Sequence, residues 1–178
     1  MLFVLFQLGP DRYALEASRV VEVVPLLALK RFPQAPRGVA GIFVYRGRPV
    51  PALDLCELTT GRPALDRLST RIIIINQSET PGTEQLLGLI TERATETLRR
   101  DAKDFVDSGM QLSSAPFLGP VLMDGQGVIQ LIHAHKLVPE NMRELLATPT
   151  PTPGESRTGG GEIGAGPEPT LEVTDASH

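Results

Sequence analysis

Short apolar runs follow one another along the chain, each closed by glycine, proline or a cluster of polar residues, and this rhythm predicts many short strands and little helix. Residues 3–8 (Phe-Val-Leu-Phe-Gln-Leu) read as a strand, Gly9-Pro10-Asp11 as a turn, and Tyr13-Ala14-Leu15 as a strand pairing back. Ser18 suits the N-cap of a brief helical turn through Val21, after which Glu22-Val23-Val24 extends toward Pro25. Arg71–Asn76 is four consecutive isoleucines between polar ends, a β-branched strand. Leu86 to Leu98 reads as one long, bent strand, and residues 101–111 as a polar connection with a helical turn. Phe117–Met123 and Val128–Ile132 pair across Asp124-Gly125-Gln126-Gly127, where Asp-Gly signals the turn. Pro139 suits the first position of a helix over 140–146, with Met142, Leu145 and Leu146 on one face.

The segment from Gly38 to Leu55 carries the most information. Two apolar runs flank Arg46-Gly47, and Gly47 offers the positive φ that tight hairpin turns require. Both runs are too apolar for a sheet with one wet face, so these strands are expected to be buried on both faces or pressed against a partner. Arg46 is left at the tip.

Composition sharpens this picture at the C-terminus. From Thr148 onward Thr-Pro repeats and Gly159-Gly160-Gly161 leave too little apolar surface to offset the ordering entropy, so residues 148–178 are expected to be a disordered tail after a domain of residues 1–147. Five of the 21 acids and one of the 17 bases lie in that tail, which leaves 16 of each for residues 1–147. A formally neutral domain argues against a polyanion-binding face. The opening apolar run lacks a basic leader and a small-residue cleavage site, and no run reaches the length that spans a bilayer, so a cytoplasmic protein without membrane insertion is expected.

Candidate chemistry is sparse. The single cysteine, Cys56, excludes an intrachain disulfide; its setting after Leu53-Asp54-Leu55 suggests a strand end and a buried, inert thiol. His133 and His135 would share one face of a strand, but neither a third histidine nor a cysteine accompanies them, so no metal is assigned. Asp124–Gly127 lacks the following helix of a phosphate loop. Asp54 has no companion acids or lysine, and reads as a strand-end acid accepting backbone or arginine hydrogen bonds. No serine sits in a nucleophile elbow. Neither catalytic group nor cofactor is therefore expected.

Set in order, these segments resemble the CheW-like adaptor family of bacterial chemosensory systems over about residues 2–147. The likeness rests on Phe6-Gln7-Leu8-Gly9 with Tyr13-Ala14-Leu15, on Val20-Val21-Glu22-Val23, and on Ala35-Pro36 followed by Gly41-Ile42-Phe43-Val44-Tyr45-Arg46-Gly47. It continues through Val50-Pro51-Ala52-Leu53-Asp54-Leu55, Gly88-Leu89-Ile90-Thr91-Glu92 and Lys136-Leu137. No single piece is specific; their order and spacing are.

The resemblance implies an all-β fold of two intertwined five-stranded SH3-like barrels, with short helices and a hydrophobic groove between the barrels. It also implies noncatalytic coupling of a methyl-accepting chemoreceptor tip to the regulatory domain of a CheA-type histidine kinase, with further contacts to other CheW-like adaptors and recruitment to receptor clusters at the inner membrane. Its motifs place protein-interaction residues at Val20 and Glu22, at Gly41, Val44, Tyr45, Arg46 and Gly47, and at Asp54. Glu22 and Arg46 would form an ion pair that shapes the partner surface. Val44-Tyr45 stands where the family usually has Asn-Leu, Arg48-Pro49 replaces a more apolar pair, Glu92 replaces Asp, and His133 replaces Asp or Asn. These departures suggest a paralogue with its own receptor and kinase.

The competing function is a nucleic-acid-binding small β-barrel, which needs a basic groove with aromatic stacking platforms. The neutral domain and scattered aromatics, with Phe3, Phe6 and Tyr13 expected in the core, weigh against it.

Overall fold

The computed structural model describes residues 1–78, 80, 82–109 and 112–138. The chain divides into two units, Met1–Thr148 and Pro149–His178, and every described residue belongs to the first. The helix expected over 140–146 and the tail from 148 lie outside the described residues.

The fold is all-β. Strands β1 (Leu2–Leu8), β2 (Asp11–Glu16), β3 (Val20–Pro25), β4 (Val39–Tyr45) and β5 (Arg48–Asp54) are followed by helix α1 (Leu55–Thr60). Strands β6 (Arg71–Asn76), β7 (Leu86–Arg99), β8 (Leu118–Asp124) and β9 (Gly127–Ile132) complete the set among the described residues. These strands form one continuous sheet.

The long strand β7 organises this sheet. Its first part pairs β6 antiparallel and β5 parallel, with Ile90 opposite Ile72 and Asp54. Its last part pairs β1, from Glu96 opposite Leu5 to Arg99 opposite Leu2. The register jumps between these parts, near Arg93, whose φ of 49° is left-handed. Such a kink in a strand re-aims everything beyond it. The sheet thereby bends into two five-stranded halves that share β7: β4-β5-β7-β6-β3 and β7-β1-β2-β9-β8. The chain enters the second half with β1 and β2, builds the first, and returns, so the halves are intertwined.

No single barrel closes around the whole sheet. Each half instead curls back on itself through one isolated bridge, Lys30 to Ile42 for the first and Val106 to Val121 for the second. Gly41 permits the first bridge: its φ is 137°, and a Cβ there would collide with the Lys30 backbone carbonyl.

Three apolar clusters explain why the strands look uniformly hydrophobic. Ile72 and Ile74 pack with Phe43, Tyr45 and Val50 inside the first half. Ile73 and Ile75, one residue out of phase, pack with Val4, Phe6 and Leu53 between the halves. Phe3 and Leu5 then face Leu122, Ile129 and Leu131 inside the second half. Side chains alternate between faces as in any strand, but in β1, β5 and β6 both faces are core, whereas β4 leaves Val44 exposed. The space between the halves is thus largely filled, and a groove along it of about 340 Å³ is lined mainly by polar side chains, including Gln7, Arg12, Arg93 and Glu96.

Three local expectations are corrected. Ser18 does not cap a helix: the 3₁₀ turn Ala17–Arg19 follows Glu16, makes no side-chain cap, and Ser18 lies within it. Cys56 is not on a strand, because β5 ends at Asp54 and Cys56 is the second residue of α1. The hairpin between β8 and β9 does not turn on Asp-Gly. Asp124 is the last strand residue, its Oδ1 accepts from Gln126 N at 2.8 Å, and Gly125-Gln126 forms the turn.

Candidate partner-binding site

The site forms at the rim of the first half. The register of β3 against β6 shifts between Val20, opposite Ile75, and Glu22, opposite Ile74, so Val21 is an extra residue. Glu22 therefore shares a face with Ile74, one of the residues packed inside the first half. Tyr45, the last residue of β4, buries its ring in the same cluster. Its hydroxyl donates to Glu22 Oε2.

Arg46 and Gly47, with φ of 49° and 77°, make the two-residue turn into β5. Positive φ at both positions marks a turn whose twist matches the flanking strands, and at Arg46 it costs about 1–2 kcal/mol relative to a right-handed backbone. The turn swings the Arg46 guanidinium back over the hairpin. Its Nη2 donates to the same Glu22 Oε2 at 2.9 Å, and its Cζ lies 5.0 Å from the Tyr45 ring centroid. One carboxylate oxygen thus accepts from two side chains of the hairpin. The bond to Glu22 is the main reason the Tyr45 phenol is held above its ordinary value, with the Arg46 charge opposing. Arg46 remains 72% exposed, and Val44, on the opposite face of β4, is 69% exposed.

The remaining sequence candidates fall elsewhere. Val20 packs against the cluster between the halves. Gly41 serves the Lys30 bridge. Asp54 is 6% exposed and caps α1: Oδ1 accepts from Glu57 N at 3.0 Å and Oδ2 from Ala64 N at 2.8 Å. Burial nevertheless pushes its carboxyl above the usual range, against the pull of those backbone donors.

Two interactions have no signal in the sequence reading. The hydroxyl bond from Tyr45 depends on the bulge that turns Glu22 inward, and nothing local announces a bulge between valines. Arg12 Nη1 meets Asp124 Oδ1 at 2.7 Å across 112 residues, tying the first hairpin to the last. His133 and His135 lie in the segment after β9 with ring centroids 5.5 Å apart. Among the described residues no group of three or more His, Cys, Asp or Glu is arranged to hold a metal, and no helix is long and apolar enough to cross a membrane.

A bent sheet of two five-stranded halves, with an arginine braced at one hairpin tip, defines the class: an all-β domain with two curled halves that share one long strand. The chain belongs to the CheW-like domain family, which matches residues 2–142. It is 26% identical over 151 residues to the chemotaxis protein CheW of Treponema pallidum, covering 81% of this chain and 85% of that one. It is 29% identical over 98 residues to the chemotaxis protein CheW of Helicobacter pylori, a match spanning 54% of this chain and 56% of the relative. The crystal structure of the scaffolding protein TtCheW from Thermoanaerobacter tengcongensis superposes with a TM-score of 0.67 at 25% identity, over 79% of this chain and 88% of that one.

Proposed function

We propose that this chain is a noncatalytic adaptor that couples the cytoplasmic tip of a methyl-accepting chemoreceptor to the regulatory domain of a CheA-type histidine kinase. The family match over residues 2–142 carries the reading. In it, the hairpin tip with Arg46 held on Glu22 is part of the partner surface, and Val44 supplies an exposed apolar contact beside it. The adaptor works in the cytoplasm at receptor clusters, where other CheW-like adaptors are further partners. The departure at Val44-Tyr45 from the family's usual pair supports a dedicated receptor and kinase. The nucleic-acid alternative has less support: residues 1–147 are formally neutral, and Phe3, Phe6 and Phe43 are buried, which leaves Phe32 as an exposed aromatic without a basic groove of stacked rings around it.

Co-purification tests the reading. The full chain is mixed with the regulatory domain of a CheA-type kinase and a receptor-tip hairpin encoded alongside it. A complex containing all three is expected. Failure of the chain to retain either component contradicts the proposal.

A further inference from the structure

Glu22 and Arg46 alone would make a weak, exposed ion pair, worth about 0–1 kcal/mol and free to sample many rotamers. The hydroxyl of Tyr45 changes that. Its ring is fixed in the first-half core with Phe43, Val50, Ile72 and Ile74, so its oxygen is a rigid donor at the rim. Glu22 Oε2 is drawn to that donor, and Arg46 then finds the oxygen in one place, with the Tyr45 ring beneath its guanidinium. A leucine at this position would fill the core but leave Glu22 without the second donor.

We propose that Tyr45 is a positioning residue for the partner surface: its hydroxyl orients the Glu22 carboxylate, which in turn holds the Arg46 guanidinium at the hairpin tip. Tyr45 acts through Arg46 and does not itself touch the partner, since its side chain is nearly buried. This rests on the adaptor reading, in which that tip meets the kinase or receptor. The departure from the family pattern at this pair thereby divides in two, with Val44 facing outward and Tyr45 bracing from within.

Tyr45→Phe isolates the hydroxyl, because it keeps the ring in the core and under Arg46. Two measurements are needed. In the free chain, NMR of the Arg46 guanidinium, whose Nη2 bonds Glu22, is expected to show faster Nη–H exchange and a less ordered side chain in Y45F than in the wild type; no change overturns the proposal whatever the partner does. In binding to the CheA-type regulatory domain, Y45F is expected to weaken affinity about threefold to tenfold, the usual net effect of losing one hydrogen bond. Y45F combined with R46A is expected to bind no worse than R46A alone. Additive losses would mean that Tyr45 acts independently of Arg46, which also overturns the proposal. If R46A itself binds like the wild type while the NMR change is present, the adaptor surface is misassigned but the positioning role stands.

Discussion

Glu22 and Tyr45 are joined side chain to side chain where β3 and β4 have no backbone pairing between them. The bridge of Lys30 to Ile42 closes the first half at the middle of β4, and the Tyr45 hydroxyl on Glu22 closes it at the strand's last residue. Arg46 is added to the outside of this clasp, on the same oxygen. The arrangement assigns different work to neighbouring residues: Tyr45 completes the rim, Arg46 faces solvent from it, and Gly47 lets the chain turn.

Asp54 serves the fold in a different way. Both carboxylate oxygens accept backbone donors, from Glu57 and Ala64, and the group is buried. Asp54→Ala leaves two N–H groups unpaired, and a loss of about 2–3 kcal/mol is expected, combining a lost cap with a lost buried bond. Urea denaturation followed by circular dichroism measures it. An effect within about 0.5 kcal/mol, typical of a surface change, would show that the cap carries no weight.

The legibility of this fold differs from element to element for physical reasons. The isoleucine strand β6 is plain in the sequence because both of its faces meet core, so the apolar run is unbroken. The β4–β5 hairpin is equally plain, since Gly47 and the flanking runs specify it locally. Helix α1 is hidden: it is only six residues long, its first two are buried, and Asp54 looks like the end of a strand until Ala64 returns to it. The Asp-Gly at 124–125 misleads because the Asp124 side chain is claimed by Gln126 N and Arg12, so it ends the strand and does not occupy the turn. In the site, the family resemblance brings Glu22 and Arg46 together, whereas the Tyr45 bond depends on the bulge at Val21.

The Arg12–Asp124 pair makes stability depend on acid pH. The Arg12 guanidinium, followed by the Gln126 amide, holds the Asp124 carboxyl below its ordinary 3.8. A carboxyl depressed in the folded state stabilises it above the unfolded value, and this contribution disappears as pH falls through the folded value. The wild type is therefore expected to lose stability below about pH 4 more steeply than Asp124→Asn, which is less stable by about 1–2 kcal/mol at neutral pH. Thermal melts of both proteins between about pH 2 and 7 give the comparison. Parallel curves would contradict it.

Cys56 is expected to be chemically silent in the folded protein. Burial at the start of α1, with Glu92 and Asp54 nearby, pushes its thiol up to about 12, so almost no thiolate exists at neutral pH. A thiol reagent at about pH 8 is expected to label it only after denaturant unfolds the domain. Rapid labelling of the native chain would contradict the burial.

The most direct test of the adaptor account is calorimetric titration of the chain and its Arg46→Ala variant into the regulatory domain of the associated CheA-type kinase and, separately, into the receptor tip. Removal of an exposed ion pair is expected to shift the melting temperature by no more than about 2–4 °C. Binding by the wild type to both partners, with affinity for at least one lowered about tenfold or more in Arg46→Ala, is the predicted result. No binding by the wild type, or equal binding by both proteins, would contradict the account.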